Sequence, residues 1–275
     1  VNGLKEFRGR VAVVTGAASG IGFALCERFA AEGMHLVMAD LPDSPLEPAA
    51  EKLRAAFSAT GTEVLTHATD VARWEDVAAL AAATQARFGG AHIVCNNAGV
   101  RTMGSIWNVS LEDWHWVIGI NLWGVIHGIK AFAPGMIARG EPGHFVNTAS
   151  TVGLIGMPDN GPYAASKFGV VGVSESLREE LRQAGAPIGV TVLCPNRVPT
   201  QIRQNSNRRR PSGEPVSTRQ GSEASRAVQA PEVAAMVLDA IRNDRFWLLT
   251  HPEFAAELVS RAHSIVEANP LPSRD

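Results

Sequence analysis

Short apolar runs alternate with longer amphipathic stretches along most of the 275-residue chain. The short runs fall at 11–15, 35–39, 63–68, 92–95, 144–148 and 189–194, and several of them lack any polar alternation. Strands buried on both faces read this way, so the pattern predicts a parallel sheet covered by helices on each side. The intervening stretches predict helices over 20–32, 45–60, 73–88, 111–138 and 162–184. A last strand is expected at 246–249, with a helix after it over 252–267, and Pro231 sits where it would open the preceding helix. One doubly wound α/β domain spanning 1–275 accommodates all of these elements.

The rhythm fails between Pro195 and Gln229, where Pro, Gly, Ser and Arg dominate and apolar periodicity is lost. Unpatterned segments of this length in compact domains are lids or mobile surface loops, and the sequence leaves both open for 198–228. The position after the sixth strand places the segment above the sheet edge where ligands bind in doubly wound folds. Arg208, Arg209 and Arg210 within it read as a solvated charge run.

Charge and cysteine usage narrow the function classes. Lys and Arg total 25 against 27 Asp and Glu, a formal charge of -2, which offers no basic footprint for nucleic acid. No run of eighteen apolar residues and no leader-like core stand out, so a soluble cytoplasmic protein without a membrane partner is expected. Cys26, Cys95 and Cys194 lie inside apolar segments at spacings that fit neither a metal site nor a disulfide framework, and they are expected in the core.

The first strand runs into Gly16, Ala17, Ala18, Ser19, Gly20, Ile21 and Gly22, and a helix follows. Glycines at these places permit a tight turn, close backbone approach to a pyrophosphate and close helix packing, with the helix N-terminus favouring the anion. The bland alternative is a tight strand-to-helix connection. Asp40, eighteen residues beyond Gly22 at the end of the second strand, favours the nucleotide reading. A carboxylate there accepts the adenosine ribose hydroxyls and repels a 2′-phosphate, and neither Ala17, Ala18 nor Leu41 supplies a compensating cation. NAD is therefore expected over NADP. Asp70 and Val71 close the third strand, and Asn96, Asn97, Ala98 and Gly99 close the fourth, all at the same expected edge of the sheet.

The single tyrosine, Tyr163, stands four residues before Lys167 in a helical stretch, thirteen residues after Ser150. Residues four apart share a helix face, so the lysine ammonium can lie near the phenol and favour its ionised form. A phenol with its reference pKa of about 10 is a weak base near neutrality, and lowering that value would let Tyr163 exchange a proton with an alcohol.

These residues together resemble the classical short-chain dehydrogenase/reductase family. The likeness is strong over roughly 8–200 and rests on TGAASGIG at 15–22, Asp70, NNAG at 96–99, Asn121, Ser150, YAASK at 163–167 and the segment led by Pro195. It implies a Rossmann-type sheet of about seven strands in a three-layer αβα sandwich, and a catalytic tetrad of Asn121, Ser150, Tyr163 and Lys167. It implies cofactor contacts from the glycine turn, Asp40, Leu41, Asp70, Val71, Asn97, Ala98, Gly99, Tyr163, Lys167, Pro195, Asn196, Val198 and Thr200. It further implies a homodimer or homotetramer built on the helices near 111–138 and 162–184. One departure stands out: the family places glycine directly after the proline that closes the sixth strand, and here Asn196 takes that place.

The resemblance implies an NAD-dependent oxidoreductase that interconverts a secondary alcohol and its ketone, with Tyr163 as the proton carrier. Met103, Trp107, Trp114, Trp116, Leu154, Ile155, Met157 and Pro158 lie in segments expected to border the crevice, with Asn160 the polar exception. They favour an apolar or aryl-bearing substrate. WHWVIGINLWGVIHG at 114–128 and GHFVNTAS at 143–150 are similar to the family branch that oxidises benzylic carbinols of lignin-derived aryl ethers. The reading from another class is a dinucleotide-sensing or scaffold protein on the same fold without turnover.

Overall fold

The structure is a computed structural model, and it describes residues 3–213 and 226–269. Seven strands form one fully parallel sheet: β1 (Val11–Thr15), β2 (His35–Asp40), β3 (Val64–Ala68), β4 (Ile93–Asn96), β5 (Gly143–Thr148), β6 (Ile188–Cys194) and β7 (Trp247–Leu249). Their spatial order is β3-β2-β1-β4-β5-β6-β7. The order reverses between β1 and β4, and that reversal opens a crevice beyond the C-terminal strand ends.

Burial explains the missing polar alternation in the strands. Ala12 and Val14 of β1, Leu36 and Met38 of β2, and Ile93 and Cys95 of β4 join one apolar cluster. Val11, Val13, Val37, Ala39 and Val94 enter another, on the opposite face. Successive side chains point to opposite faces, and here both faces are covered. Helices α1 (Gly20–Ala31), α2 (Leu46–Ala56) and α8 (Ala230–Arg242) pack on the first cluster. Helices α3 (Trp74–Phe88), α5 (Gly124–Arg139) and α6 (Gly161–Gln183) pack on the second. All three cysteines are buried and free, as their apolar surroundings in the sequence imply.

Three departures from the sequence pattern bear on function. The stretch expected as one helix over 111–138 is α4 (Leu111–Ile118), then a π-helical turn at Gly119–Trp123, then α5. By length and composition Leu111–Arg139 is apolar enough to cross a membrane, yet it packs against α3 and α6 in the layered fold. Second, α7 (Ile202–Arg209) occupies part of the segment expected to be unpatterned loop. Residues 214–225, the remainder of the expected lid up to its last few positions, lie outside the described residues. Third, the helix expected over 252–267 opens as a 3₁₀ turn at Pro252–Phe254 and continues as α9 (Ala255–Ala268), which buries none of its residues.

Candidate active site

A cleft of about 710 Å³ opens above the C-terminal ends of the strands, where the sheet order reverses. Its floor on one side is the turn from β1 into α1, which contributes Gly16, Ser19, Gly20 and Ile21. Gly16 and Gly20 hold φ angles of +67° and +57°, a left-handed conformation that a Cβ would strain. Gly22 is needed for a different reason: a Cβ there would run into the Gly16 carbonyl oxygen and come within 2.7 Å of Asn97 Nδ2. Gly22 is buried beneath the turn, so it shapes the cradle without lining it.

Thr15 fastens this turn to the end of β4. Its hydroxyl accepts from the backbone N–H groups of Asn97 and Ala98 at 3.0 and 3.1 Å, and its carbonyl accepts from Asn97 Nδ2 at 3.0 Å. Asp40 sits at the tip of β2, where Oδ2 accepts from Ala18 N at 2.9 Å and Oδ1 from Leu41 N at 2.8 Å. Two backbone donors thus fix the carboxylate on the cleft wall, with lone pairs left for ribose hydroxyls. Leu41, Asp70, Val71, Asn97, Ala98, Gly99, Pro195, Asn196, Val198 and Thr200 also line the cleft. The cradle of positive-φ glycines, a helix N-terminus and a fixed strand-end carboxylate fits a dinucleotide.

Ser150, Tyr163 and Lys167 meet on the other side of the same cleft, from the end of β5 and the first turns of α6. The Ser150 hydroxyl donates to Pro195 O at 3.3 Å and accepts from Val152 N at 3.3 Å. Lys167 is buried, with 3 % of the residue exposed, and its Nζ donates to Thr148 O at 2.7 Å. The ammonium lies 5.7 Å from the Tyr163 ring centroid. Asn121 does not line the cleft: it is fully buried in the π-helical turn. There its Oδ1 accepts from Val100 N at 2.8 Å, and its Nδ2 donates to Val100 O at 3.0 Å and to Ser166 Oγ at 3.1 Å. Ser166 in turn donates to Tyr163 O at 2.7 Å, so Asn121 is two hydrogen bonds from the Tyr163 backbone. π-helical turns of this kind collect at functional sites, where an extra residue re-aims a side chain.

Burial pushes the Tyr163 phenol above its ordinary value, and the charge of Arg101 and a hydrogen bond with Ser150 oppose that rise. Burial also lowers Lys167 to about 8, which leaves its ammonium form in the majority at neutral pH. Arg101 thus joins Lys167 as a cation beside the phenol. Arg101 lies 5.6 Å from the Tyr163 ring centroid and was not singled out by any motif, although it stands two residues past NNAG.

Other expectations require correction. Of the apolar residues expected around the crevice, only Met157 lines it. Trp107 is 82 % exposed, Leu154 packs against a core cluster, and Trp116 borders a separate small recess. Asn160 is buried, with Oδ1 taken by Arg101 Nη2 at 2.9 Å and Nδ2 donating to Pro158 O at 2.8 Å. Arg210 is not solvated: it pairs with Asp113 at 2.7 Å, both side chains almost wholly buried, while Arg209 pairs with Asp43 at 2.7 Å. Burial alone would raise the Asp113 carboxyl, but hydrogen bonds from Arg210 and Ser212 hold it below the usual range. Asn96 is also a structural residue, donating to Asn147 Oδ1 at 2.8 Å beneath the cleft. Asn196 is exposed, and its φ is not positive, so the turn after β6 makes no demand for glycine.

Comparison with known proteins agrees with this geometry. The family model for short chain dehydrogenases matches residues 10–211. The chain is 37 % identical over 251 residues to 1-deoxy-11-beta-hydroxypentalenate dehydrogenase of Streptomyces avermitilis, covering 90 % of this chain and 86 % of that one. It is 31 % identical over 275 residues to a C alpha-dehydrogenase of a Sphingobium species, covering 96 % and 88 %. Among solved structures, a short chain dehydrogenase/reductase of Burkholderia phymatum in complex with NAD superposes with a TM-score of 0.86 at 39 % identity, covering 99 % of this chain and all of that one.

Proposed function

The chain belongs to the short chain dehydrogenase family, and from that premise we propose that it is an NAD-preferring oxidoreductase interconverting an apolar or aryl-bearing secondary alcohol and its ketone. The observation that carries the reading is the convergence of Ser150, Tyr163 and Lys167 on one wall of a cleft whose opposite floor is the Gly16–Gly20 turn. The names of the C alpha-dehydrogenase and the hydroxypentalenate dehydrogenase support alcohol oxidation as the reaction class.

The nicotinamide, when bound, supplies the hydride acceptor or donor. Residues of the glycine turn, with Asp40, Leu41, Asp70, Val71, Asn97, Ala98, Gly99, Pro195, Asn196, Val198 and Thr200, would hold the dinucleotide. Asp40 would take the adenosine ribose hydroxyls, and its charge would repel a 2′-phosphate.

Tyr163 Oη takes the proton of the alcohol during oxidation and returns it during reduction. With its pKa raised by burial, the phenol is protonated in the free protein, ready as the acid for ketone reduction. Ser150 Oγ shares the phenol's hydrogen-bond environment and orients the substrate oxygen. The Lys167 ammonium and the Arg101 guanidinium flank the phenol ring and favour its ionised form when the proton leaves. Asn121 positions Val100 and, through Ser166, the first turn of α6. Two or four copies would associate through α4–α5 and α6. Purified protein assayed with NAD and with NADP against a panel of secondary alcohols, following nicotinamide absorbance, tests the reading.

A further inference from the structure

Among the described residues, Arg101 is a cation without a carboxylate partner. Its side chain reaches the cleft wall, stacks 5.6 Å from the Tyr163 ring centroid, and makes no ion pair among the described residues. It is held in place by neutral groups. Asn160 Oδ1 accepts from Nη2 at 2.9 Å, Ser206 Oγ accepts from the Arg101 backbone N–H at 2.9 Å, and the buried Nε has no acceptor among the described residues. A guanidinium that is largely desolvated and incompletely satisfied is costly to maintain unless an anion arrives.

A second guanidinium stands nearby. Arg203, on the exposed side of α7, lines the same cleft and has no acidic partner among the described residues. Burial disfavours the charged form of Arg101, and the charge of Arg203 adds to that effect. The acidic residues on the cleft wall do not relieve this. Asp40 is held by the Ala18 and Leu41 N–H groups and Asp70 by that of Ala72, neither pairs with Arg101 or Arg203 among the described residues, and Glu253 and Glu257 are exposed at the start of the C-terminal helical segment. Val100, Ile120, Val152, Met157 and Ile202 meanwhile supply apolar lining for an organic body.

We propose that Arg101, with Arg203 at the mouth of the cleft, binds a carboxylate carried by the substrate, so that the alcohol or ketone oxidised or reduced here is an organic acid. This rests on the assignment of the cleft as the substrate site of a dehydrogenase and names the substrate class within it. The planar fork of a guanidinium matches a carboxylate, and such a pair is strengthened by desolvation. Arg101 would then have two effects: it fixes the far end of the substrate and keeps positive charge beside the Tyr163 phenol.

The test is direct binding of para-acetylbenzoate and of the neutral para-methylacetophenone to the protein with NADH, by calorimetry, in parent, Arg101→Met, Arg101→Lys and Arg203→Met proteins. The parent should bind the acid about tenfold or more tighter than the neutral ketone. Arg101→Met should erase that ratio, Arg101→Lys should restore part of it, and Arg203→Met should reduce it without disturbing the fold, since that side chain is exposed. Equal affinities in the parent, or a ratio unchanged in both Met variants, overturn the proposal. Turnover of the matching alcohols is measured in parallel. Turnover of the neutral alcohol without charge preference sinks only this inference, whereas selective binding of the acid with no turnover of either alcohol keeps the carboxylate site at Arg101 and counts against the dehydrogenase reading on which the substrate class rests.

Discussion

Arg210 and Asp113 form an ion pair of 2.7 Å with both side chains almost wholly removed from solvent, and it ties the chain after α7 to the first turn of α4. Ser110 caps that same turn by accepting from Asp113 N at 3.2 Å. With Arg209 bonded to Asp43 and Ser206 bonded to Arg101 N, α7 is fastened over the cleft at three places.

Removing one member of the buried pair leaves the other charge stranded. Arg210→Met should therefore destabilise the protein by about 3–5 kcal/mol in urea unfolding, while Arg209→Met, whose partner Asp43 is exposed, should change stability by about 1 kcal/mol or less. Limited proteolysis should cut near α7 faster in Arg210→Met. Equal stability of the two variants contradicts the buried-pair assignment.

What the sequence made legible follows from how local each signal is. Val11, Ala12, Val13 and Val14 announce two-sided burial by themselves, and Tyr163 and Lys167 announce a shared helix face by their spacing. Asn121 is different. Its motif position was readable from the family likeness, but the π-helical turn that directs it inward toward Val100 arises from one extra residue in a turn and leaves no periodic trace. The α7 sequence, IRQNSNRR, carries no apolar stripe because ion pairs to Asp43 and Asp113 hold that region in place of core packing. Trp107 and Trp116 are close in sequence to cleft residues, yet adjacency along a chain does not specify which face a side chain joins.

His144 makes stability acid-sensitive. Thr191 Oγ1 donates its one proton to Arg245 O at 2.7 Å, so it accepts from His144 Nε2–H at 2.8 Å, and the buried Nδ1 has no partner. Burial lowers His144 from 6.5 to about 3, so between those values the unfolded chain binds a proton that the folded one refuses. Stability then falls as pH drops below 6.5, by about 2 kcal/mol between pH 7 and pH 5 from this group alone. His144→Gln should shrink the measured pH dependence of urea unfolding by about that amount. An unchanged slope contradicts it.

Gly189 makes room for the same imidazole. A Cβ there would come within 2.5 Å of His144 Nδ1 and would also meet Asp244 Oδ1. Gly189→Ala should lower the unfolding midpoint, with a loss of about 1–3 kcal/mol, and combining it with His144→Ala should recover part of the loss. Additive losses in the double variant would place the clash elsewhere.

Asp40 should set the cofactor choice. The parent is expected to have the higher kcat/KM with NAD, and Asp40→Ala should narrow the NAD-to-NADP ratio by about tenfold or more, because it removes a charge that repels the 2′-phosphate and frees the Ala18 and Leu41 N–H groups. Comparable kcat/KM for both cofactors in the parent contradicts the role given to Asp40.

Tyr163 is the proposed proton carrier, and single-turnover oxidation of a 1-arylethanol carrying a para-carboxylate by the NAD-loaded protein, parent against Tyr163→Phe, tests that role most directly. Tyr163→Phe should slow the step by about a thousandfold while NADH affinity stays within about threefold of the parent, since the phenol oxygen is removed and the glycine turn and Asp40 are untouched. A Tyr163→Phe rate within about tenfold of the parent, with the cofactor bound, would contradict the assignment.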